Sequence, residues 1–176
     1  ILELSTTVPT SYAYNKTYGL NVTITNCCNN YGPNQHEEKL VPKLIHNFIK
    51  HLPIPLHGDG KQVRDWLYVD DHCTAIWEVA FMSPPGIQYN VSGSNHMTNL
   101  SMVQYIYVAL QKMGVNLLPL DAYIQYMPDR AYNDREYNVD DSLLRTSLDW
   151  KPMMIFDDGM EKTIEYYKAK WAQYIR

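Results

Sequence analysis

The stretch Pro55-Leu-His-Gly-Asp-Gly-Lys-Gln-Val-Arg-Asp-Trp-Leu-Tyr-Val-Asp-Asp71 decides the fold of this chain. Pro53-Ile-Pro-Leu56 is short and extended, and Gly58-Asp59-Gly60 makes a tight turn into a strand over Val63 to Val69. Asp70-Asp71 then reads as an N-cap, opening a helix that carries Ala75, Ile76, Val79 and Ala80.

Working outward, Leu20-Asn-Val-Thr-Ile-Thr-Asn26 alternates apolar and polar residues and is rich in β-branched types, which predicts a strand. Asn29 to Asn34 supplies turn chemistry, and from Glu37 to Lys50 apolar residues recur at helical spacing, with Pro42 in or near the first turn. Downstream, Pro84-Pro85-Gly86 breaks the preceding helix, and Ile87 to Val91 is a strand closed by Ser92-Gly93-Ser94-Asn95. A helix follows over Asn99 to Met113, then an extended Ala122 to Met127, a polar loop over Pro128 to Asn133, and helices near Asp141 to Leu148 and Asp158 to Ile175. Strands alternate with helices from Leu20 onward, so the fold class is α/β. Residues 1–19 begin without Met and run into a Ser/Thr/Pro-rich stretch; they read as an irregular segment ahead of a unit over 20–176.

At 176 residues with 45% apolar content the chain is one domain's worth, neither a disordered tail nor a disulfide scaffold. Fifteen Lys and Arg against 19 Asp and Glu give a net charge of −4 and no basic block, which argues against nucleic acid as a partner. Cys27, Cys28 and Cys73 form no CxxC or zinc-spaced cluster, and His36, His46, His51, His57, His72 and His96 are scattered, so no metal site is expected. No apolar run is long enough to span a membrane and no leader is visible, so the expected location is the cytoplasm.

Four places could carry chemistry. Asn29 and Asn30 lie just beyond a predicted strand end, where open α/β sheets bind ligands, or they only shape a turn. Glu37-Glu38-Lys39-Leu40 starts a helix where a Lys near the positive terminus suits an anion, although a solvated first turn reads equally well. Arg64, Trp66 and Tyr68 share one face of a predicted strand, a combination suited to a phosphate and a ring; otherwise Arg64 pairs with Asp65 or Asp71 and the aromatics fill the core. Asp129-Arg-Ala-Tyr-Asn-Asp-Arg135 carries two guanidinium groups, suited to a diphosphate or to a surface ion-pair cluster. Neither GxGxxG nor a Walker lysine loop occurs.

Read together, NNYGP at Asn29–Pro33, EKLVP at Glu38–Pro42, the Pro55–Asp71 run and DRAYNDREYNVD at Asp129–Asp140 resemble the nucleotide-sugar 4,6-dehydratases, most closely the dTDP-glucose 4,6-dehydratase family of the extended short-chain dehydrogenase/reductase superfamily. The resemblance covers about Lys16 to Tyr167. It implies the C-terminal part of a Rossmann-like fold, with the substrate-binding subdomain and without the N-terminal NAD-binding half. The implied activity is that of a lyase using NAD, which oxidises C4 of the glucose, eliminates water across C5 and C6 and returns the hydride to C6, giving dTDP-4-keto-6-deoxyglucose. The implied nucleotide-sugar contacts are Asn29, Lys39, Leu40, Pro55, Leu56, His57, Arg64, Asn99, Asp129, Arg130 and Asn133, with Asn30 at the cofactor. Relatives commonly have Tyr at the position of His57, and their DRPGHD loop is Asp129-Arg-Ala-Tyr-Asn-Asp134 here.

The family's Thr-Asp-Glu group is missing, and Tyr12 and Lys16, which spell YxxxK, stand too close to NNYGP to be its catalytic pair. The resemblance therefore implies nucleotide-sugar contacts without turnover by these residues alone, with dTDP-glucose or a UDP-sugar as ligand. The other readings are a stand-alone binding module or remnant, or a related epimerase. Family members form homodimers through helices, one of which carries the YxxxK; lacking it, the chain is expected to expose an apolar face.

Overall fold

The computed structural model describes residues 2–129, 131, 132 and 134–175. It is α/β, with strands β1 (Ile24–Cys27), β2 (Asn29–Tyr31), β3 (Ile54–His57), β4 (Val63–Tyr68), β5 (Gln88–Val91), β6 (His96–Thr98), β7 (Ile124–Met127) and β8 (Glu136–Tyr137). The helices are α1 (Leu2–Tyr18), α2 (Leu40–Ile49), α3 (Val69–Met82), α4 (Asn99–Lys112), α5 (Ser142–Leu148) and α6 (Phe156–Lys170). Parallel pairs join β1 to β5, β2 to β4 and β3 to β7, while β4 also takes β6 antiparallel and β8 parallel.

Strand β4 divides two apolar cores, because successive side chains of a strand point to opposite faces. Trp66 and Tyr68 join the larger core, built from Val41, Leu44, Ile45, Phe48 and Ile49 of α2, Met102, Val103, Ile106 and Leu110 of α4, and Met160, Ile164 and Tyr167 of α6. Leu67 joins the smaller one, with Ala75 and Val79 of α3, Tyr89 and Val91 of β5, Leu144 and Trp150. Helix α2 tolerates Pro42 because the proline falls in the first turn, where its missing N–H has no intrahelical partner to lose.

Three expectations are corrected. Residues 1–19 are not irregular: Leu2–Tyr18 is a helix that holds Pro9 inside it and ends where Gly19 turns left-handed at φ +65°, its N–H donating to Asn15 O at 2.9 Å. Asn29–Tyr31 is a strand rather than a turn, since pairing with Trp66–Tyr68 outweighs the turn preference of two asparagines. Asp70 and Asp71 lie inside the first turn of α3, whose N-cap is Tyr68, and the Asp71 carboxylate instead accepts from the backbone N–H groups of Met153 and Met154 at 3.0 Å each.

Among the described residues no helix is long and apolar enough to cross a membrane, and no group of three or more metal-ligating side chains forms. Tyr14 and Tyr18 of α1 and Leu20 beyond it are exposed.

Candidate functional site

The parallel register of β2 and β4 sets Asn29 beside Trp66 and Asn30 beside Leu67. Strand alternation then sends the two asparagines to opposite faces. Asn29 lines a cavity of about 260 Å³ together with Arg64 and Trp66 of β4, Leu40, Lys43, Leu44 and Asn47 of α2, all four residues of β3, Asn99 at the start of α4, and Glu38. Of the sequence-predicted nucleotide contacts the structure brings Asn29, Leu40, Pro55, Leu56, His57, Arg64 and Asn99 to this one wall.

Local chemistry fixes each of these positions. Arg64 and Trp66 alternate with Asp65, so both face the cavity while Asp65 faces away. Asp65 is buried and accepts from Ser92 Oγ at 2.7 Å and from the N–H groups of Asn95 at 2.7 Å and Gly93 at 2.9 Å. Burial pushes the Asp65 carboxyl up, but hydrogen bonds from Ser92, Asn95, Cys28 and Gly93 outweigh it and hold the group below the ordinary carboxylate range. Thr98 caps α4 by accepting from Ser101 N–H at 3.0 Å, and the N–H groups of Asn99 and Leu100 donate to Gln62 O and Gly60 O. That lacing fastens the Gly58–Gln62 loop to α4 and sets Asn99 at the cavity edge.

The remaining predicted residues fall elsewhere. Lys39 is the exposed N-cap of α2 and does not line the cavity; Lys43, one turn on, does. Asp129 lies over Gly58 and accepts from Gln62 Nε2 at 3.3 Å, outside the lining. Arg130 and Asn133 lie outside the described residues. Arg135, the second guanidinium of that loop, grips Asp59 through two bonds of 2.8 and 3.0 Å, and this pairing draws the Asp59 carboxyl down to about 2. His57 donates from Nδ1 to Pro128 O at 3.2 Å, which holds the loop against the cavity mouth. Tyr68 turns into the core, edge-on to Tyr31 at 5.6 Å.

On the opposite face, Asn30 Nδ2 lies 2.9 Å from His72 Nδ1 and 3.3 Å from Cys27 Sγ. Burial lowers the His72 pKa, so the neutral ring presents an acceptor to the Asn30 amide. Asn30 Oδ1 is buried without a partner among the described residues, an acceptor suited to a donor group of a cofactor. That orphaned acceptor is the observation on which these residues fit NAD, the cofactor the resemblance implies.

Among the polar lining residues, sequence reasoning missed Lys43 and Asn47. Their signal was helical: both lie within two turns of Leu40, and Lys43 stands one turn beyond Lys39.

A family model described as GDP-mannose 4,6 dehydratase matches residues 9–163. A probable dTDP-glucose 4,6-dehydratase of Sinorhizobium fredii is 41% identical over 166 residues, covering 93% of this chain and 47% of that protein. The dTDP-glucose 4,6-dehydratase 1 of Escherichia coli is 37% identical, covering 93% of this chain and 46% of that protein. Among solved structures, the dTDP-glucose 4,6-dehydratase DesIV of Streptomyces venezuelae, determined with NAD bound, superposes with a TM-score of 0.86 at 33% identity, covering 97% of this chain and 52% of that one. A UDP-glucose 4-epimerase of Thermotoga maritima shares the fold at a TM-score of 0.82 and 23% identity, covering 94% of this chain and 52% of that one. The chain spans about half the length of the curated relatives it matches.

Proposed function

The chain belongs to the GDP-mannose 4,6-dehydratase family, and we propose that it supplies the nucleotide-sugar contacts of an NAD-dependent dTDP-glucose 4,6-dehydratase, the lyase that converts dTDP-glucose to dTDP-4-keto-6-deoxyglucose. The observation that carries this reading is the convergence of Arg64, Lys43, Asn29, Asn99 and His57 on one cavity. Two cations, of which Arg64 is anchored by its Nη1 donating to Val63 O at 2.7 Å, and several amides suit a diphosphate, and a guanidinium offers it a planar, two-pronged grip. At about 260 Å³ the cavity is smaller than the roughly 300–1,000 Å³ of whole-ligand pockets, so it takes the diphosphate and a neighbouring ring rather than an entire nucleotide sugar.

Arg64 and Lys43 neutralise the diphosphate, Asn29 and Asn99 orient it, and the backbone and side chains of Pro55, Leu56 and His57 pack against the nucleobase. Lys39 and Asp129 lie outside this lining, and the resemblance implies contacts from Arg130 and Asn133 as well. Asn30 would hold NAD through one contact from the other face of β2, and the cofactor would supply the hydride acceptor and donor for the sugar. The Thr-Asp-Glu group and YxxxK pair of the resemblance do not lie in these 176 residues at the required spacing, so binding without turnover is the expected behaviour of the chain.

Titration calorimetry with dTDP tests this. The chain should bind dTDP, Arg64→Ala should weaken binding at least tenfold, and incubation with dTDP-glucose and NAD should yield no 4-keto product. Absence of dTDP binding by the chain overturns the reading.

A further inference from the structure

We infer that Trp66 is a further ligand-contacting residue, donating its indole Nε1–H to a diphosphate oxygen of the nucleotide; this rests on the reading above. Trp66 is 3% exposed, and its Nε1–H has no acceptor among the described residues. A buried donor left unpaired is destabilising, and the large majority of buried side-chain polar atoms in folded proteins are paired. The contrast within this chain is direct, because the indole of Trp150 donates to Thr74 Oγ1 at 3.0 Å.

A phenyl ring at position 66 would fill the same core face without stranding a donor, so packing alone does not account for an indole there. The ring lies against the cavity, on the strand face that it shares with Arg64 and directly beside Asn29. Arg64 and Trp66 are two residues apart, roughly 6.5 Å along the strand. One extended polyanion seated on β4 therefore meets both. An indole is a donor only and a diphosphate oxygen is an acceptor, so the match is one of chemistry as well as place. In the unliganded arrangement the N–H is closed even to water, so the side chains lining the cavity give way as the oxygen enters, and the bond forms at low dielectric, where such bonds are stronger. Trp66 thereby selects for an acceptor at this point of the ligand, whereas the cations select only for charge.

The test is a ¹H–¹⁵N spectrum of the whole chain, in which the four tryptophans give four indole signals. Trp66→Phe assigns one of them by its loss; should that variant not fold, Phe substitutions of Trp77, Trp150 and Trp171 assign it by elimination. On titration with dTDP the Trp66 indole proton should move downfield with the saturation seen by calorimetry, and Trp66→Phe should bind dTDP roughly tenfold more weakly. Thymidine, which lacks the diphosphate, should leave the signal in place. If dTDP binds with loss on Arg64→Ala but neither the Trp66 signal nor the Trp66→Phe affinity changes, the Trp66 contact is wrong and the nucleotide reading stands. A shift with thymidine alone moves the acceptor off the diphosphate and overturns the assignment. If dTDP does not bind at all, the nucleotide reading and this inference fall together.

Discussion

Asn29 stands directly beside Trp66 in the pairing of β2 with β4, and the next residue, Asn30, is thereby turned to the other side of the strand. Two adjacent asparagines thus serve two different surfaces. Asn29→Ala should weaken dTDP binding roughly tenfold, as expected for one lost polar contact, while Asn30→Ala leaves it within twofold. Calorimetry on the two variants checks this; equal losses would mean that the faces are not separated as described.

Asp65 gathers three donors from the Ser92–Asn95 turn, and its replacement should be costly. Asp65→Asn is expected to lower unfolding stability by roughly 1.5–3 kcal/mol in urea. Because its folded-state pKa lies below the unfolded value of about 3.9, the unfolded chain takes up the proton first as pH falls. Its contribution is fully present well above pH 4 and is lost as the pH falls through the folded-state value. The acid limb of the stability curve should therefore be shallower in Asp65→Asn; parallel limbs would contradict the assignment.

His72 makes a second pH prediction. Burial lowers its folded pKa, so the unfolded chain binds this proton more readily, and stability falls as pH drops from about 6.5 through the folded-state value. An NMR titration should place the His72 midpoint below 6.5, with the side-chain amide signals of Asn30 moving at the same midpoint. A His72 midpoint at or above 6.5 would remove the basis for a neutral acceptor at Asn30.

Gly93 tests the join between the two cores. A Cβ there would meet Trp66 O at 2.0 Å, and backbone cannot yield as a side-chain end can. Gly93→Ala should cost more than about 3 kcal/mol or give no soluble protein. A cost under about 1 kcal/mol in urea unfolding would show that β4 and the Ser92–Asn95 turn are not held this closely.

Where the sequence was legible, short-range chemistry set the outcome. The tight turn at Gly58–Gly60 leading into the strand over Val63–Tyr68 and the apolar spacing of α2 each mark their element without help from distant contacts. Arg64 and Asn29 were legible for the same reason, as polar residues on or at the end of strands. Helix α1 was not, because its Ser, Thr and Pro content argues for irregular chain, although Tyr18-Gly19 carried a stop signal. The strand at Asn29–Tyr31 depends on a partner 37 positions away in register, which local propensity cannot show. Lys43 lines the cavity and Lys39 does not, because the two stand one turn apart along the same helix face and only the later one reaches the level of the cavity.

The central claim is that the cavity between α2, β3 and β4 grips a diphosphate through Arg64, and a crystal structure of this chain with dTDP tests it most directly. The account predicts diphosphate density within hydrogen-bonding distance of the Arg64 guanidinium and beside the Trp66 indole. Nucleotide density seated elsewhere, as in the groove between α4 and α6 lined by Tyr105, Val108 and Met113, would contradict it.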